Sequence, residues 1–251
     1  MKEKTRPLEK EVDISERGKD AAGNPATLDN RLYMQLLAFG NCADTEPLVE
    51  ALEAAGIEGV LYADVNDAYG VGLMTFSADP AYFVETVRPL LTAEPFKSLT
   101  PKLEYSMLGR TYTIGYERDL EHVLLRKPAE RVTNPAWPWA VWYPLKRKGT
   151  FELLSQEEQN IILQEHGGIG RAYGGSGHGL DVRLACHGLD KNDNDFVTGL
   201  VGDNLTGLSK IVQRMRKTKQ TSTYLERLGP FFVGKVVWQR RINEQLAINN
   251  E

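Results

Sequence analysis

The sequence predicts an α+β protein made of two ferredoxin-like β-α-β-β-α-β units in one chain, the architecture of a dimeric α+β barrel. Three observations carry that prediction. One order of strand and helix patterns occurs twice along the 251 residues. In both halves an Asn/Asp-rich turn separates the two middle strands. Helix starts are marked by capping residues in front of apolar stripes.

The first unit is expected over 29–110. Residues 31–39 (RLYMQLLAF) read as a strand. Thr45 caps a helix over 46–55, with Pro47 in its first turn and Gly56 just past its end. Residues 58–65 and 70–77 read as strands. Asp79 caps a helix from Pro80 to about Arg88, where Pro89 is expected to end it. Residues 103–110 read as the closing strand. The segment 111–136 is expected to link the halves, with one short helix and an apolar run at 123–125. It is long for a plain connection, which suits the lining of a pocket.

The second unit is expected over 137–240. It opens with a strand over 139–143. Ser155 and Glu158 form a capping box for a helix whose residues Ile161, Ile162 and Leu163 support one buried face. Residues 180–187 and 195–201 read as strands. Asp203 or Asn204 caps a helix striped by Leu205, Leu208, Ile211, Val212 and Met215, and 231–238 closes the unit. Residues 1–28 and 241–251 are expected as tails. Twelve of the first twenty residues are charged and the apolar ones show no period, so the first tail is expected to be disordered or bound to a partner.

Composition excludes several classes. There are 30 Lys+Arg against 34 Asp+Glu, a formal charge of −4, which argues against general nucleic-acid binding. Two cysteines, Cys42 and Cys186, cannot build a disulfide framework or a four-cysteine zinc site. No apolar stretch approaches the roughly 20 residues of a membrane span. The charged N-terminus lacks an apolar signal core, so a soluble, cytoplasmic protein is expected. The run from Gly229 to Lys235 is one residue short of a phosphate loop and is followed by Val236 where a hydroxyl is needed, so it reads as a strand start. Ser176 has Gly174 two residues before it but His178 two after, which excludes the Gly-x-Ser-x-Gly elbow.

Two groups of residues remain. Among the four histidines, His122 lies in the linker, His178 in a glycine-rich turn and His187 at a strand end, all readable as packing or surface residues. His166 sits about one turn from Ile162 and Leu163, is expected near the end of its helix, and is followed by Gly167 and Gly168. Small residues beside an inward imidazole let a flat ligand approach, and imidazole suits the iron of a non-covalent haem. On spacing alone a buried, hydrogen-bonded histidine is the commoner occurrence. Trp137, Trp139, Trp142 and Tyr143 then run into Lys146, Arg147 and Lys148. Aromatic walls ending in cations suit a large flat anion, while an aromatic core strand with a solvated basic turn explains the same spacing.

Six motifs occur in order: Tyr143-Pro-Leu-Lys-Arg-Lys, Phe151-Glu-Leu-Leu-Ser-Gln-Glu-Glu, Glu165-His166-Gly167-x-x-Gly170-Arg171-x-Tyr173, Gly188-Leu189-Asp190, Met215-Arg216-x-Thr218 and Gly229-Pro-Phe-Phe-Val-Gly234. Over about 139–238 the chain resembles the chlorite dismutase family of haem proteins, and especially its coproheme decarboxylase branch. The N-terminal half fits the fold without a motif of its own. The resemblance implies a pair of ferredoxin-like units, assembly into rings that are commonly homopentamers, and haem b or coproheme held in the C-terminal unit, with no separate metal. His166 matches the iron ligand. Tyr143 matches the tyrosine that becomes a radical and oxidises propionates with hydrogen peroxide. Lys146 and Arg147 fall beside the propionate-contacting lysine.

Two departures from the family pattern stand out. Gln220 stands where the family places a glutamate that accepts the histidine's other N–H, so a neutral acceptor is expected to weaken donation to iron. On the strand after the histidine helix, Arg183 is the expected distal residue, with Asp181 as its competitor on the same face. The resemblance therefore implies peroxide-dependent decarboxylation of coproheme to haem b. A chlorite-degrading or peroxidase-type haem enzyme and a non-enzymatic haem-binding protein are the alternatives. Tyr105, Arg110 and Tyr112 flank the start of the inter-half segment and are candidates to touch the porphyrin from the N-terminal half, with packing the commoner role.

Overall fold

A computed structural model describes residues 12–115 and 117–241, and the described chain begins with a hairpin. Strands β1 (Glu16–Lys19) and β2 (Pro25–Leu28) pair antiparallel inside the segment expected as a tail. One carboxylate accounts for the difference. Glu16 Oε1 accepts from Arg31 Nε at 3.3 Å and Arg110 Nη1 at 3.1 Å, and Oε2 accepts from the backbone N–H and the hydroxyl of Thr113, both at 2.9 Å. Burial pushes this carboxyl up, but the hydrogen bonds from Thr113 and Arg31 outweigh it and hold it below its usual value. These partners are distant in sequence, so no local pattern announces them. The rest of the expected tails, 1–11 and 242–251, lies outside the described residues.

The first unit runs β3 (Tyr33–Gly40), α1 (Glu46–Ala54), β4 (Gly59–Asp64), β5 (Val71–Ser77), a π-helical turn (Phe83–Val87) continuing as α2 (Arg88–Leu91), a short β6 (Thr100–Pro101) and β7 (Met107–Arg110). Pro89 does not end its helix. The Arg88 N–H bonds to the carbonyl of Phe83, five residues back, and this wider turn accommodates the proline ring and its missing donor. The inter-half segment repeats the device: a π turn (His122–Arg126) leads into α3 (Lys127–Val132) across Pro128. Thr45 makes no side-chain capping bond; Asp44 Oδ1 accepts the Glu46 N–H at 3.0 Å instead. The closing strand starts only at Met107, because Leu103–Tyr105 form a 3-10 turn.

The second unit runs β8 (Trp139–Arg147), α4 (Gln156–Gly175), β9 (Leu180–Ala185), β10 (Phe196–Gly202), α5 (Leu205–Met215), α6 (Lys219–Tyr224), β11 (Leu225–Leu228) and β12 (Phe232–Arg240). The Ser155–Glu158 capping box forms with both of its bonds. Asn204, rather than Asp203, caps α5 by accepting the Gly207 N–H at 2.9 Å. Of the consecutive Ile161, Ile162 and Leu163, only Ile162 is buried and Ile161 is 62% exposed, because successive helical residues point in different directions.

Strand order is β7-β3-β5-β4 in the first unit and β12-β8-β10-β9 in the second: fourth, first, third and second strand in each case. That order defines the ferredoxin-like unit, and it occurs twice. The edges then join, β12 to β4 and β7 to β9, so the two sheets close into one barrel. Among the described residues no helix is long and apolar enough to cross a membrane.

The barrel interior is packed by Met34, Leu36, Tyr62, Met74, Trp142, Val182, Leu184 and Phe232, and Ala129 and Val132 of α3 join this core. Large rings meet glycines across it. Trp142, fully buried, lies over Gly199 on the neighbouring strand, and Phe232 lies over Gly72. A Cβ on Gly199 would stand 2.4 Å from Trp142 Cζ3. Gly199→Ala is therefore expected to destabilise the fold by roughly 1–3 kcal/mol through overpacking. Urea titration reads this as a lowered midpoint; an unchanged midpoint would contradict the packing described.

Candidate active site

Alternation along β8 sends Trp142 into the barrel and Val141, Tyr143 and Leu145 to the outside. Register then builds the outer face. Thr198 pairs with Tyr143 on one side and with Arg183 on the other, and Asp181 lies two residues from Arg183. Helix α5 covers part of this face with Leu208 and Ile211. Helix α4 covers the rest loosely, for in 20 residues it buries Ile162 alone. Beneath it the side chains of Arg183 and Asp181 stay 47% and 38% exposed.

His166 overlooks this face. It lies in the middle of α4 rather than near its end, because the helix continues through Gly167 and Gly168 to Gly175. Gly170 lies one turn from His166 on the same face, and a Cβ there would meet only Met215 Cε, at 3.9 Å, so the helix surface beside the imidazole is open. Burial lowers the imidazole pKa to about 4; Asp181 pulls it up, while Arg147 and Arg183 push it down. The ring is therefore neutral at ordinary pH.

The tautomer follows from hydrogen bonding. Nδ1 lies 3.5 Å from Thr218 Oγ1, and the Thr218 hydroxyl donates its own proton to the Met215 carbonyl at 2.8 Å. Nδ1–H is thus the donor to Thr218, and Nε2 carries the lone pair. Thr218 also caps α6 by accepting the Thr221 N–H at 3.3 Å. The expectation that Gln220 meets the imidazole is corrected: Thr218 does. Gln220 is 5% exposed, and among the described residues its Oε1 has no hydrogen-bond partner.

Tyr143 is 7% exposed and stacks on Phe231 with ring centroids 4.7 Å apart. Burial raises its phenol well above the usual value and Asp181 adds to the rise, while the Thr198 hydrogen bond and Arg216 oppose it. Arg147 shares the face of Tyr143. Its guanidinium lies between the rings of Phe151, at 4.6 Å, and Phe196, at 4.7 Å, and its buried Nε has no hydrogen-bond partner among the described residues. Lys146 points the other way and pairs with Asp193, and Lys148 Nζ donates to the Thr223 carbonyl at 2.9 Å. The cationic run expected to act together is divided, and of the pair Lys146 and Arg147 only Arg147 lies on the site face.

Two more residues join the site face: Tyr112, a candidate from its place beside the inter-half segment, and Arg131, which no motif marks. Tyr112 tilts onto Phe196 at 5.6 Å with the Arg183 guanidinium 6.0 Å above its ring. Arg131, from α3, meets Asp181 at 3.2 Å. Both arrive through pairing between the halves, which leaves no local signal. Tyr105 packs inside the barrel against Phe232, and Arg110 belongs to the Glu16 cluster. The other histidines contact Glu130 (His122), Tyr173 (His178) and Asp195 (His187).

A neutral imidazole with its Nε2 lone pair available, a glycine one turn along the helix and an aromatic floor edged by guanidiniums fit a planar, anionic, metal-bearing ring. The chain is 32% identical over 139 residues to a coproheme decarboxylase of Oceanobacillus iheyensis; the match covers 53% of each chain, so it spans about half the length of that curated relative. In fold it is similar to chlorite dismutase from Candidatus Nitrospira defluvii in complex with imidazole, with a TM-score of 0.63 and 16% identity over 84% of this chain and 93% of that one. It is likewise similar to a heme-binding protein from Thermus thermophilus, with a TM-score of 0.62 and 21% identity over 89% of this chain and 96% of that one. The model of the family described as chlorite dismutase matches residues 73–237, from β5 of the first unit to β12 of the second, and the chain belongs to that family.

Proposed function

We propose that this chain is a haem-dependent oxidoreductase that decarboxylates the propionates of iron-coproporphyrin with hydrogen peroxide to give haem b. The observation that carries the reading is Tyr143: a buried phenol, held by Thr198 and Phe231, on the sheet face that His166 overlooks. His166 would hold the iron through Nε2, with Nδ1–H fixed by Thr218. The bound porphyrin supplies activation of peroxide and the oxidising capacity; the protein positions the reacting groups.

Tyr143 is the relay. It gives up its phenolic hydrogen as an electron and a proton, and regains a hydrogen from the β-carbon of a propionate. The resulting carbon radical loses one further electron as the carboxylate leaves as CO2, and a vinyl group remains. Each round consumes one propionate and one peroxide and releases one vinyl group, one CO2 and two waters. The stack on Phe231 and the Thr198 hydrogen bond hold the phenol in one orientation through that cycle. Arg147, whose buried Nε has no hydrogen-bond partner among the described residues, is the cation for a porphyrin carboxylate. Arg183 is the distal polar residue. Its guanidinium is paired with Asp181, which leaves little uncompensated charge to stabilise chlorite and favours decarboxylation over the chlorite-degrading alternative.

Loading with coproheme followed by peroxide titration is expected to give a mass loss of two propionate decarboxylations per porphyrin. Tyr143→Phe is expected to bind coproheme and lose no mass. Oxygen release from chlorite with no porphyrin mass loss would overturn the assignment, and binding without turnover of either oxidant would favour a non-enzymatic haem carrier.

His166→Ala is expected to abolish the Soret shift that marks iron ligation. In the wild type, a folded pKa of about 4 means the imidazole stays neutral as pH falls below 6.5, and a proton competes with iron only near pH 4. Acid loss of the Soret band with a midpoint near 6.5 would contradict the buried environment described.

Thr218→Val removes the acceptor for Nδ1–H and is expected to weaken iron-porphyrin binding roughly 10- to 100-fold and to lower the iron–histidine stretching frequency. Thr218→Ser keeps both that acceptor and the α6 cap and is expected to restore both readouts. Equal affinities for Val and wild type would remove Thr218 from the site.

A further inference from the structure

The most crowded charges on the site face belong to one carboxylate. Asp181 divides its two oxygens between guanidiniums from different elements: Oδ1 meets Arg131 Nη1 at 3.2 Å, and Oδ2 meets Arg183 Nε at 3.2 Å. Arg131 also donates to the Asp181 backbone carbonyl, which fixes it against β9. Lys127 precedes Arg131 by about one turn of α3 and feels the same charge. Burial disfavours the charged forms of Arg131 and Lys127, so both cations depend on nearby negative charge. Three cations thus draw on the Asp181 carboxylate, with Glu117 adding negative charge near Lys127 and Arg183.

Two guanidiniums converging on a carboxylate form a carboxylate-binding fork, and here its occupant is part of the chain. The ligand of the proposed function carries four carboxylates, and it would lie on this face between α4 and β9. We propose that Asp181 is a built-in stand-in for a porphyrin carboxylate: a propionate displaces its Oδ1 from Arg131 when the ligand binds, while Oδ2 stays with Arg183. This rests on the reading given under Proposed function. Exchange of one carboxylate for another conserves the guanidinium hydrogen bonds, so the fork stays paired throughout. Asp181 therefore sets affinity by competition and does not act as a barrier. It also keeps α3, and with it the inter-half segment, docked to β9 by the same pair of bonds.

The test is fluorescence titration of the protein with metal-free coproporphyrin III, which needs neither iron nor turnover. Asp181→Asn removes the competitor and is expected to tighten binding roughly three- to tenfold, the scale of two partly exposed ion pairs. Arg131→Gln is expected to weaken binding, and in that background Asp181→Asn is expected to gain less than about twofold, because the competition runs through Arg131. Asp181→Ser carries the same expectation where the amide disturbs β9, with thermal unfolding of each variant as the fold control. Unchanged or weaker binding by Asp181→Asn overturns the inference. So does an equal gain in both backgrounds, which would mean that Asp181 acts only through its long-range field. A wild type that binds coproporphyrin while these variants fail the pattern overturns this inference alone. A wild type that binds no coproporphyrin overturns the proposed function as well.

Discussion

The contact of Trp142 with Gly199 is the constraint on which the site depends. The indole is fully buried and the space it fills exists only because the residue opposite has no side chain. That pair fixes the register of β8 against β10. Side chains alternate along a strand, so a slip of one residue would exchange the two faces of β8. Trp142 would then point outward and Tyr143 into the barrel. With the register held, Tyr143 faces Thr198, Thr198 faces Arg183, and Asp181 follows two residues away. The chemistry on the outer face is positioned by packing on the inner one.

A second consequence concerns α4. Most helices that cover a sheet bury a full stripe, as α5 does with Gly207, Leu208 and Ile211. In α4 the positions that share the His166 face are Ile162, Ile169, Gly170 and Tyr173, and of these only Ile162 is buried, while Tyr173 packs against the residues of α5. Each interior glycine lowers helix stability by about 1 kcal/mol relative to alanine, so the run of them is a cost of the open surface beside the imidazole. Neutrality of His166 and its tautomer follow from burial and from Thr218, whose hydroxyl is oriented by Met215. A residue that starts α6 thus also sets which nitrogen of the imidazole can bind a metal.

What the sequence made legible was local. Period-two alternation, the Ser155–Glu158 box, the Asn204 cap and the repeated element order were readable because each lies within a few neighbouring residues. Features made by distant pairing were not. The β1–β2 hairpin rests on Glu16 and its partners Arg31, Arg110 and Thr113. Tyr112 and Arg131 reach the site face only because the first unit and the inter-half segment dock on β9. The substitution of Thr218 for Gln220 beside His166 has a different cause. Correspondence with the family pattern does not show where α6 begins, and the helix cap decides which side chain turns toward the imidazole. Proline misled in the same local way at Pro89, where a π turn supplies the room that an α turn lacks, a device repeated at Pro128.

Charge distribution makes the same point at the scale of the site. The contiguous run Lys146, Arg147 and Lys148 looked like one cationic rim, yet a strand sends neighbours to opposite sides, and Lys146 is tied to Asp193. The guanidiniums that meet on the site face come instead from three separate elements: Arg131 from α3, Arg147 from β8 and Arg183 from β9. Cations brought together by tertiary structure are held at fixed spacing by different parts of the backbone, whereas a run on one turn can splay and find local partners. The Arg147 guanidinium, fixed between two aromatic rings, and Arg131, fixed to the backbone of β9, illustrate the first case. Recognition of a rigid, multiply charged ring requires that kind of fixed spacing, because its carboxylates cannot adjust to cations that move.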